Sequence, residues 1–548
     1  MCRPGSDDHA ARTAAKGHFM RWWTLIPAAV GVLLVSLTPA ASAVPVDAKN
    51  MGWVTGLPQA AASDIEFLER EEEDGSLSRY AIVGNIGHGF QIIDITDPVS
   101  PQPVGAFLDP GVHYQGDVQV NPRRDLVVVA TDGAPAATLG YGGVGNGIAF
   151  VDISDLSSPT LLSVLGGLGG SHNSTIIDDR YVYTALPTHI VDYSDPENPV
   201  DLGVAAMTDP ANPDGPTVPI CGHDITLDPN RPDRAYSACS SNSPSWQVID
   251  VSDPARPKLV SQIRDSKLSI PHQADPAPDS SFVVVTDERG GGVSHNRCPG
   301  GGAHIYDISG TYTDGEASEA NPIKIGIWFA PFTGTSGSGD AGEWGNCTMH
   351  NMTFQAERFL LSAGWYSAGA WVTDLQAATA DGGEYQEYSG TDSAVPGTTT
   401  WGNTQGNIIL AGDEVWSTKW TRFDDPVFDR YAFNSGLTRG FDVLSYDGTL
   451  PRKVARLAIT DIAPDGVLSG KLDRFAVWTY EGWVNKPLAG ETVTVTVDGA
   501  DAGTTETADD GTFSASLPDL EQGSYTVTVA WAGNDEYQPN SVTQTLTR

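Results

Sequence analysis

Four histidines recur at one position of a repeated pattern, and they are the residues best suited to chemistry in this sequence. They are His172, His223, His272 and His350, and the residues that follow them are Asn173, Asp224, Gln273 and Asn351. Each histidine is therefore followed by a small polar residue at the same point of its repeat. Neutral imidazole is the commonest metal ligand in proteins, so several imidazoles that converge on one cavity could hold a transition metal.

Two earlier repeats extend this candidate site. They carry Asp64 and Asp117 at the corresponding position, and His113 lies just upstream of Asp117. We therefore predict that the four histidines and His113 hold a divalent transition metal of unspecified identity, with Asp117 or Asp224 as a general base. The alternative interpretation is structural: each histidine hydrogen-bonds between adjacent repeats and binds no ligand.

Aromatic residues in long loops form a second group of candidates. The predicted ligand-binding residues are Trp344, Trp365, Tyr366 and Trp401. Exposed aromatic rings beside carboxylates suit sugars or aromatic ligands. The same rings could instead fill small cores inside the loops, and the sequence leaves both interpretations open.

A repeated phrase identifies the elements that must position these residues. It is an apolar strand closed by an Asp-Pro type turn, and its copies are residues 91–98, 150–155, 190–196, 248–254 and 305–309. An apolar strand precedes each copy, and another follows most of them. With an inner strand in front, each unit has four strands over about 40 to 75 residues and must stack on its neighbours to bury both faces.

These units predict an all-β fold, a seven-bladed β-propeller followed by a small Ig-like β-sandwich. The seventh unit lacks its own outer strand, and residues 52–57 match the missing strand, which would close the ring and remove exposed edges. The phrase resembles the LVIVD-repeat family of exported bacterial β-propellers, over about residues 51–450. The resemblance implies the propeller fold and no particular activity.

The pattern changes after residue 450. Residues 455–548 alternate apolar and polar side chains, as in 491–497 and 525–531, with polar turns such as 509–511 between the runs. This alternation predicts a β-sandwich, and its short motifs resemble bacterial Ig-like domains, which serve as spacers or adhesion modules. The predicted division is a signal peptide at 1–43, the LVIVD-repeat β-propeller at 44–450 and the Ig-like β-sandwich at 455–548.

The N-terminus and the cysteines indicate the compartment. Arg21, an apolar run at 22–37 and Ala-Ser-Ala at 41–43 are typical of a signal peptide, with the true start at Met20. The alternative is an uncleaved membrane anchor. After cleavage we expect a secreted, extracellular protein with no membrane span. Its four cysteines are predicted to form the disulfides 221–239 and 298–347, made by Cys221, Cys239, Cys298 and Cys347.

The composition narrows the partners. The chain of 548 residues has 31 basic and 69 acidic side chains and a formal net charge of −38, which disfavours nucleic acid as a partner. We therefore predict a monomeric binding or scaffold protein that recognises an extracellular carbohydrate or protein at its histidine-rich face. The alternative function is a metal-dependent extracellular enzyme, an oxidase or a hydrolase or lyase, with the same histidines as ligands.

Overall fold

The computed structural model describes residues 45–548, except residues 60, 109–115, 132–146, 170, 211, 241–243, 290–299, 331–346 and 376–402. The predicted leader and His113, Cys298, Trp344 and Trp401 lie outside the described residues. Across the described ranges, no helix is both long enough and apolar enough to cross a membrane. Two short 3-10 helices, Pro122–Arg124 and Phe428–Arg430, lie between strands.

The repeated phrase forms the third strand of a sheet and the turn after it. In five sheets, the aspartate that ends this strand accepts a hydrogen bond from the backbone amide two residues later, at 2.7–3.0 Å. These residues are Asp94, Asp152, Asp192, Asp250 and Asp307. Because such Asx turns depend only on neighbouring residues, every copy of the phrase folds in the same way.

The described residues between 45 and 446 form seven antiparallel sheets of four or five strands, which we number along the chain, and one two-stranded hairpin. Sheet 1 contains Ala62–Glu71, Leu77–Asn85, Gly89–Asp94 and Gln102–Leu108. Sheet 2 contains Val118–Asn121, Leu126–Thr131, Gly147–Asp152 and Thr160–Leu165. Sheet 3 contains Ser174–Ile176, Tyr181–Thr184, His189–Asp192 and Val200–Val204, and a hairpin of Ala206–Met207 and Val218–Pro219 follows it.

The remaining sheets continue this order. Sheet 4 contains Asp224–Asp228, Arg231–Cys239, Ser245–Asp250 and Lys258–Arg264. Sheet 5 contains Pro271–Pro276, Phe282–Asp287, Ala303–Asp307 and Ile323–Trp328. Sheet 6 contains Met352–Phe354, Leu360–Gly364, Ala370–Asp374, Asn403–Leu410 and Pro45–Lys49. Sheet 7 contains Val415–Lys419, Tyr431–Gly436, Gly440–Tyr446 and Met51–Pro58.

The N-terminal strands complete two sheets that are formed late in the chain. Met51–Pro58 pairs antiparallel with Gly440–Tyr446, which confirms the predicted closing strand. Pro45–Lys49 pairs with Asn403–Leu410 and adds a fifth strand to sheet 6, which the sequence does not predict. The outer edges of sheets 6 and 7 are therefore each covered by a strand from more than 350 positions away, since Pro45 pairs with Leu410 and Leu57 pairs with Phe441.

The sheets form a closed ring with their first strands at the centre. The first strand of sheet 7 contacts the first strand of sheet 1, and the other first strands follow one another in chain order. Between sheets 5 and 6 the contact is polar: Met352 donates its backbone amide to Gln273 Oε1 at 2.9 Å, and Gln273 Nε2 donates to Met352 O at 3.2 Å. Apolar side chains of adjacent sheets, such as Ile92 and Val127, share buried clusters between them.

Residues 455–547 form two further sheets with one common core. One contains Ala455–Ile462, Val467–Arg474 and Thr512–Ser516. The other contains Ala500–Glu506, Thr492–Val497, Ser524–Trp531 and Asn540–Thr547. Leu468 of the first sheet and Val495 and Val529 of the second are completely buried in the same cluster. A separate hairpin, Val477–Thr479 with Gly482–Val484, projects from between these strands and is called the Trp hairpin below.

This C-terminal region is fixed to the ring by buried ionic contacts and by the Trp hairpin. Arg474 donates to both carboxylate oxygens of Glu357, at 3.0 and 2.7 Å, and the Glu357 side chain is fully buried. Trp478 Nε1 donates to the backbone of Phe67 at 3.0 Å, and its backbone amide donates to Arg422 O at 3.0 Å. The hairpin therefore contacts the first strands of the ring directly.

Candidate functional site

The histidines become neighbours because each lies where a first strand begins. The backbone amides of His172, His223 and His350 each donate to a carbonyl near the end of the second strand of the same sheet, at 2.5–3.3 Å. His272 lies in the first strand of sheet 5. Successive ring centroids lie 4.5, 4.2 and 4.0 Å apart, in the order His172, His223, His272 and His350. The structure therefore brings together four of the five predicted metal ligands.

Burial keeps most of these imidazoles neutral. His223, His272 and His350 are buried, with 6, 2 and 1% of their surface exposed, whereas His172 is half-buried. Burial, reinforced by the neighbouring imidazoles, holds the pKa of His223, His272 and His350 well below its ordinary value. At neutral pH these three rings therefore offer nitrogen lone pairs without first losing a proton.

Glu288 completes the cluster. One ligand atom each of His223, His272 and Glu288 lie within 4.8 Å of one another, and all three residues are buried. Glu288 Oε2 lies 4.0 Å from His272 Nε2, and Oε1 lies 3.8 Å from His350 Nε2. Burial raises the pKa of Glu288 to about 7, and hydrogen bonding by Tyr366 opposes that rise.

The tautomer of His350 follows from its hydrogen bond. Its Nδ1 lies 2.8 Å from Trp416 O, and because a carbonyl can only accept, Nδ1 carries the proton. In a neutral imidazole Nε2 then bears the lone pair, and this atom faces Glu288. A lone pair and a carboxylate face each other here, an arrangement that a proton or a metal cation between them would satisfy.

Two further nitrogens in the cluster lack a partner. Nδ1 of His223 and Nδ1 of His272 are buried without a hydrogen-bond partner in the structure. Buried polar atoms are usually paired, because an unpaired one loses its hydration without compensation. The cluster therefore contains ring nitrogens whose hydrogen-bonding capacity is not satisfied by the part of the chain that the structure describes.

Two of the predicted aromatic residues lie in the interior of the structure. Trp365 is completely buried, and its ring lies edge-on to Trp328 at 5.7 Å. Tyr366 is 2% exposed, and its hydroxyl donates to Glu288 Oε1 at 2.5 Å. The burial of both agrees with the alternative interpretation, in which these rings fill small cores inside the loops. Tyr366 also has a left-handed backbone, with φ of 45°, a strained conformation that concentrates at functional sites.

The predicted base residues do not belong to the histidine cluster. Asp117 and Asp224 line a central cavity in the ring instead. Sequence reasoning missed Glu288, although its position contained a signal. It follows Asp287, the last residue of the second strand of sheet 5, and second strands end on the face where first strands begin. A carboxylate at that point is therefore directed to the face that carries the histidines.

The cysteine prediction is confirmed for one pair. Cys221 and Cys239 form a disulfide across an 18-residue separation. Cys347 is also disulfide-bonded, but Cys298 lies outside the described residues. The 298–347 pairing therefore stays a prediction.

The ring of four-stranded sheets and the recurrent phrase define a repeat β-propeller protein. The family profile described as "LVIVD repeat" matches residues 78–109, 141–164 and 242–265, which correspond to strands of sheets 1, 2 and 4. No curated protein sequence matches the chain.

Solved structures similar to this chain include two at low sequence identity. The Cps50 (Swd1) β-propeller domain from Myceliophteria thermophila has a TM-score of 0.43 at 10% identity, with 72% of this chain and 99% of that chain covered. A Bacteroides fragilis protein, provisionally named as a 6-phosphogluconolactonase, has a TM-score of 0.42 at 9% identity, with 68% and 88% covered.

Proposed function

We propose that this protein is an exported β-propeller that binds a divalent transition metal in its histidine cluster. The observation that carries the proposal is the convergence of His223, His272 and Glu288, whose ligand atoms lie within 4.8 Å of one another. Two imidazoles and a carboxylate are a donor set that suits zinc and neighbouring divalent metals. His350 Nε2, which faces Glu288, is the natural fourth ligand.

The geometry requires a contraction on binding. Donor atoms that share a tetrahedral zinc ion at about 2.0–2.1 Å lie roughly 3.4 Å apart. The separations of 3.8 Å from Glu288 to His350 and 4.0 Å from Glu288 to His272 exceed that value by about 0.4 and 0.6 Å. The His223 ligand atom lies within 4.8 Å of the others, so its side chain would have to move closer as the metal binds. Tyr366 and Trp416 hold Glu288 and His350 by hydrogen bonds, as outer-shell partners of metal ligands commonly do.

The wider architecture fits an extracellular binding role. We propose that the seven sheets are seven blades, that residues 455–548 are an Ig-like spacer, and that residues 1–43 are a signal peptide. The Cys221–Cys239 disulfide is compatible with an oxidising compartment. An extracellular carbohydrate or protein ligand would then reach the metal by taking the fourth position in place of His350.

A second candidate is a metal-dependent enzyme at the same cluster, and one observation favours it. The pKa of Glu288, raised to about 7, lies in the range of an effective general base at neutral pH. This assigns the base to Glu288 in place of Asp117 or Asp224. In this candidate His223, His272 and His350 hold the metal and Glu288 is the base. Hydrolysis or oxidation of an added substrate by the metal-loaded protein, abolished in Glu288→Gln while the three histidines keep the metal, would favour the enzyme over the binding protein.

Calorimetric titration of the untagged, chelator-treated protein with ZnCl₂ tests the metal proposal. We expect one ion per chain and loss of that binding in the double variant His223→Ala, His272→Ala. His189→Ala is the matched control, because His189 is an imidazole outside the cluster that pairs with Asp201. Circular dichroism checks that the double variant is folded. The proposal is wrong if the wild-type protein binds no ion, or if a folded double variant binds it equally well.

A further inference from the structure

The centre of the ring holds a cavity that the metal proposal does not use. Its volume is about 250 Å³, and first-strand residues of all seven sheets line it. Trp478 and Trp483 of the Trp hairpin also line it, so the C-terminal region contributes part of its wall. The cluster histidines are not among its lining residues.

Carboxylates outnumber cations in this cavity. The acidic residues that line it are Asp64, Glu66, Asp117, Asp178, Asp224 and Asp275, and the basic residues that line it are Arg123, Lys419 and Arg422. Lys419 Nζ lies 2.7 Å from Asp64 and 3.0 Å from Glu66, and Arg422 lies 3.6 Å from Asp275.

Of the lining carboxylates outside those ion pairs, Asp178 accepts the backbone amides of Arg180 and Tyr181, which leaves Asp117 and Asp224. Within the described part of the chain, Asp117 and Asp224 form no salt bridge, although Asp117 accepts hydrogen bonds from the amide and hydroxyl of Ser174. Both are half-buried, and carboxylates withdrawn from water are normally paired with a cation or neutralised. The cavity therefore has room for positive charge beside these two residues.

A separate observation indicates that a ligand in this cavity would donate a hydrogen bond. Asn351 lines the cavity and is 8% exposed, and its buried Oδ1 has no hydrogen-bond partner among the residues that the structure describes. Its Nδ2 donates to Asp64 Oδ1 and to Ser417 Oγ, both at 3.0 Å. Because Nδ2 faces a carboxylate, the amide cannot be turned around, and Oδ1 still needs a donor.

The aromatic part of the wall suits an organic cation rather than a bare ion. The Arg422 guanidinium lies 5.3 Å from the ring centroid of Trp483, so one indole face of this wall already holds a cation. Indole rings offer no ligand atoms to an inorganic cation such as Ca²⁺, which takes oxygen ligands. A cavity of about 250 Å³ also exceeds the volume of one ion.

We propose that this cavity binds a small organic ammonium ion, with its nitrogens at Asp117, Asp224 and Asn351 and its alkyl chain toward the Trp hairpin. Two uncompensated carboxylates match a diamine best. Ammonium N–H groups are donors only, and they complement a wall whose free groups are acceptors. The inference is independent of the histidine cluster and applies to the metal-free protein.

Calorimetry with butane-1,4-diamine tests the inference, and butane-1,4-diol serves as the uncharged ligand of equal length. We expect one diamine per chain, no binding of the diol, and affinity at least tenfold weaker in Asp117→Asn, Asp224→Asn. Asp519→Asn, an exposed aspartate in the C-terminal region, is the matched control and should bind like the wild type. Unfolding temperatures without ligand confirm that each variant is folded.

Three results would overturn the inference. The first is no binding of the diamine by the wild-type protein. The second is equal affinity in the wild type and in the folded double variant. The third is equal binding of the diol, or binding of CaCl₂ in place of the diamine, which would assign the cavity to a polyol or to an inorganic cation.

Discussion

The buried ion pair between Glu357 and Arg474 should govern how firmly the C-terminal region is attached to the ring. Glu357 is 1% exposed, accepts two hydrogen bonds from Arg474, and also accepts one from Tyr537 at 3.2 Å. In Glu357→Gln, Arg474 keeps only Asp424, at 2.6 Å, as its carboxylate partner. Removing one partner of a buried ion pair lowers the free energy of unfolding by about 3–5 kcal/mol. Because Asp424 still pairs with Arg474 in Glu357→Gln, we expect a loss of about 3 kcal/mol, at the lower end of that range.

A double-mutant cycle measures that contribution. Urea unfolding of wild type, Glu357→Gln, Arg474→Met and the double variant should give a coupling free energy of about 2 kcal/mol, within the range for residues in direct contact. Arg456→Met is the control, because Arg456 is more exposed and pairs with Asp473 within the C-terminal sheets. Loss of the Arg456 side chain should lower the free energy of unfolding by less than about 1 kcal/mol. A coupling below about 0.5 kcal/mol would refute the reasoning that this pair fixes the two regions together.

Three further predictions follow from other sites. Burial raises the pKa of Asp413 from 3.8 to about 7. Between these two pH values the folded state keeps a proton that the unfolded state has released, so the free energy of unfolding falls as the pH rises through this range. Asp413→Asn should remove about 4 kcal/mol of this pH dependence, measured by urea unfolding at pH 4 and pH 8; an unchanged dependence would contradict the assignment. Replacing Cys221 and Cys239 by serine should cost about 3 kcal/mol in the same assay, and no change would show that the 18-residue loop is already constrained. Tyr366→Phe should weaken zinc binding about tenfold, because Glu288 loses its hydroxyl donor, and unaltered affinity would remove Tyr366 from the site.

The part of the fold that depends on short-range interactions could be predicted from the sequence. Each copy of the phrase carries its own strand and its own Asx turn, so Asp94 and Asp250 form the same turn in sheets far apart in the chain. The register of the histidines could be predicted for the same reason, since each begins a first strand. Residues 51–58 could be assigned to the seventh sheet because a closed ring leaves one strand missing.

The remainder depends on contacts between distant positions, which no local pattern records. Nothing in the repeat indicates that Arg474 meets Glu357, or that the Trp hairpin lines the ring cavity. Tyr366 lies in a loop segment, and the sequence left open whether it is exposed or buried. Its burial depends on a partner 78 positions away, Glu288. Glu288 itself lies outside the repeated position of the histidines, so the register that singled out the histidines did not include it.

The most direct measurement of the central claim is anomalous X-ray scattering from crystals of the protein soaked in ZnCl₂, recorded above and below the zinc absorption edge. We expect one strong zinc peak, at about 2.0–2.2 Å from a nitrogen of His223, a nitrogen of His272 and an oxygen of Glu288. A map with no peak there, or with zinc only at surface residues, would contradict the metal site.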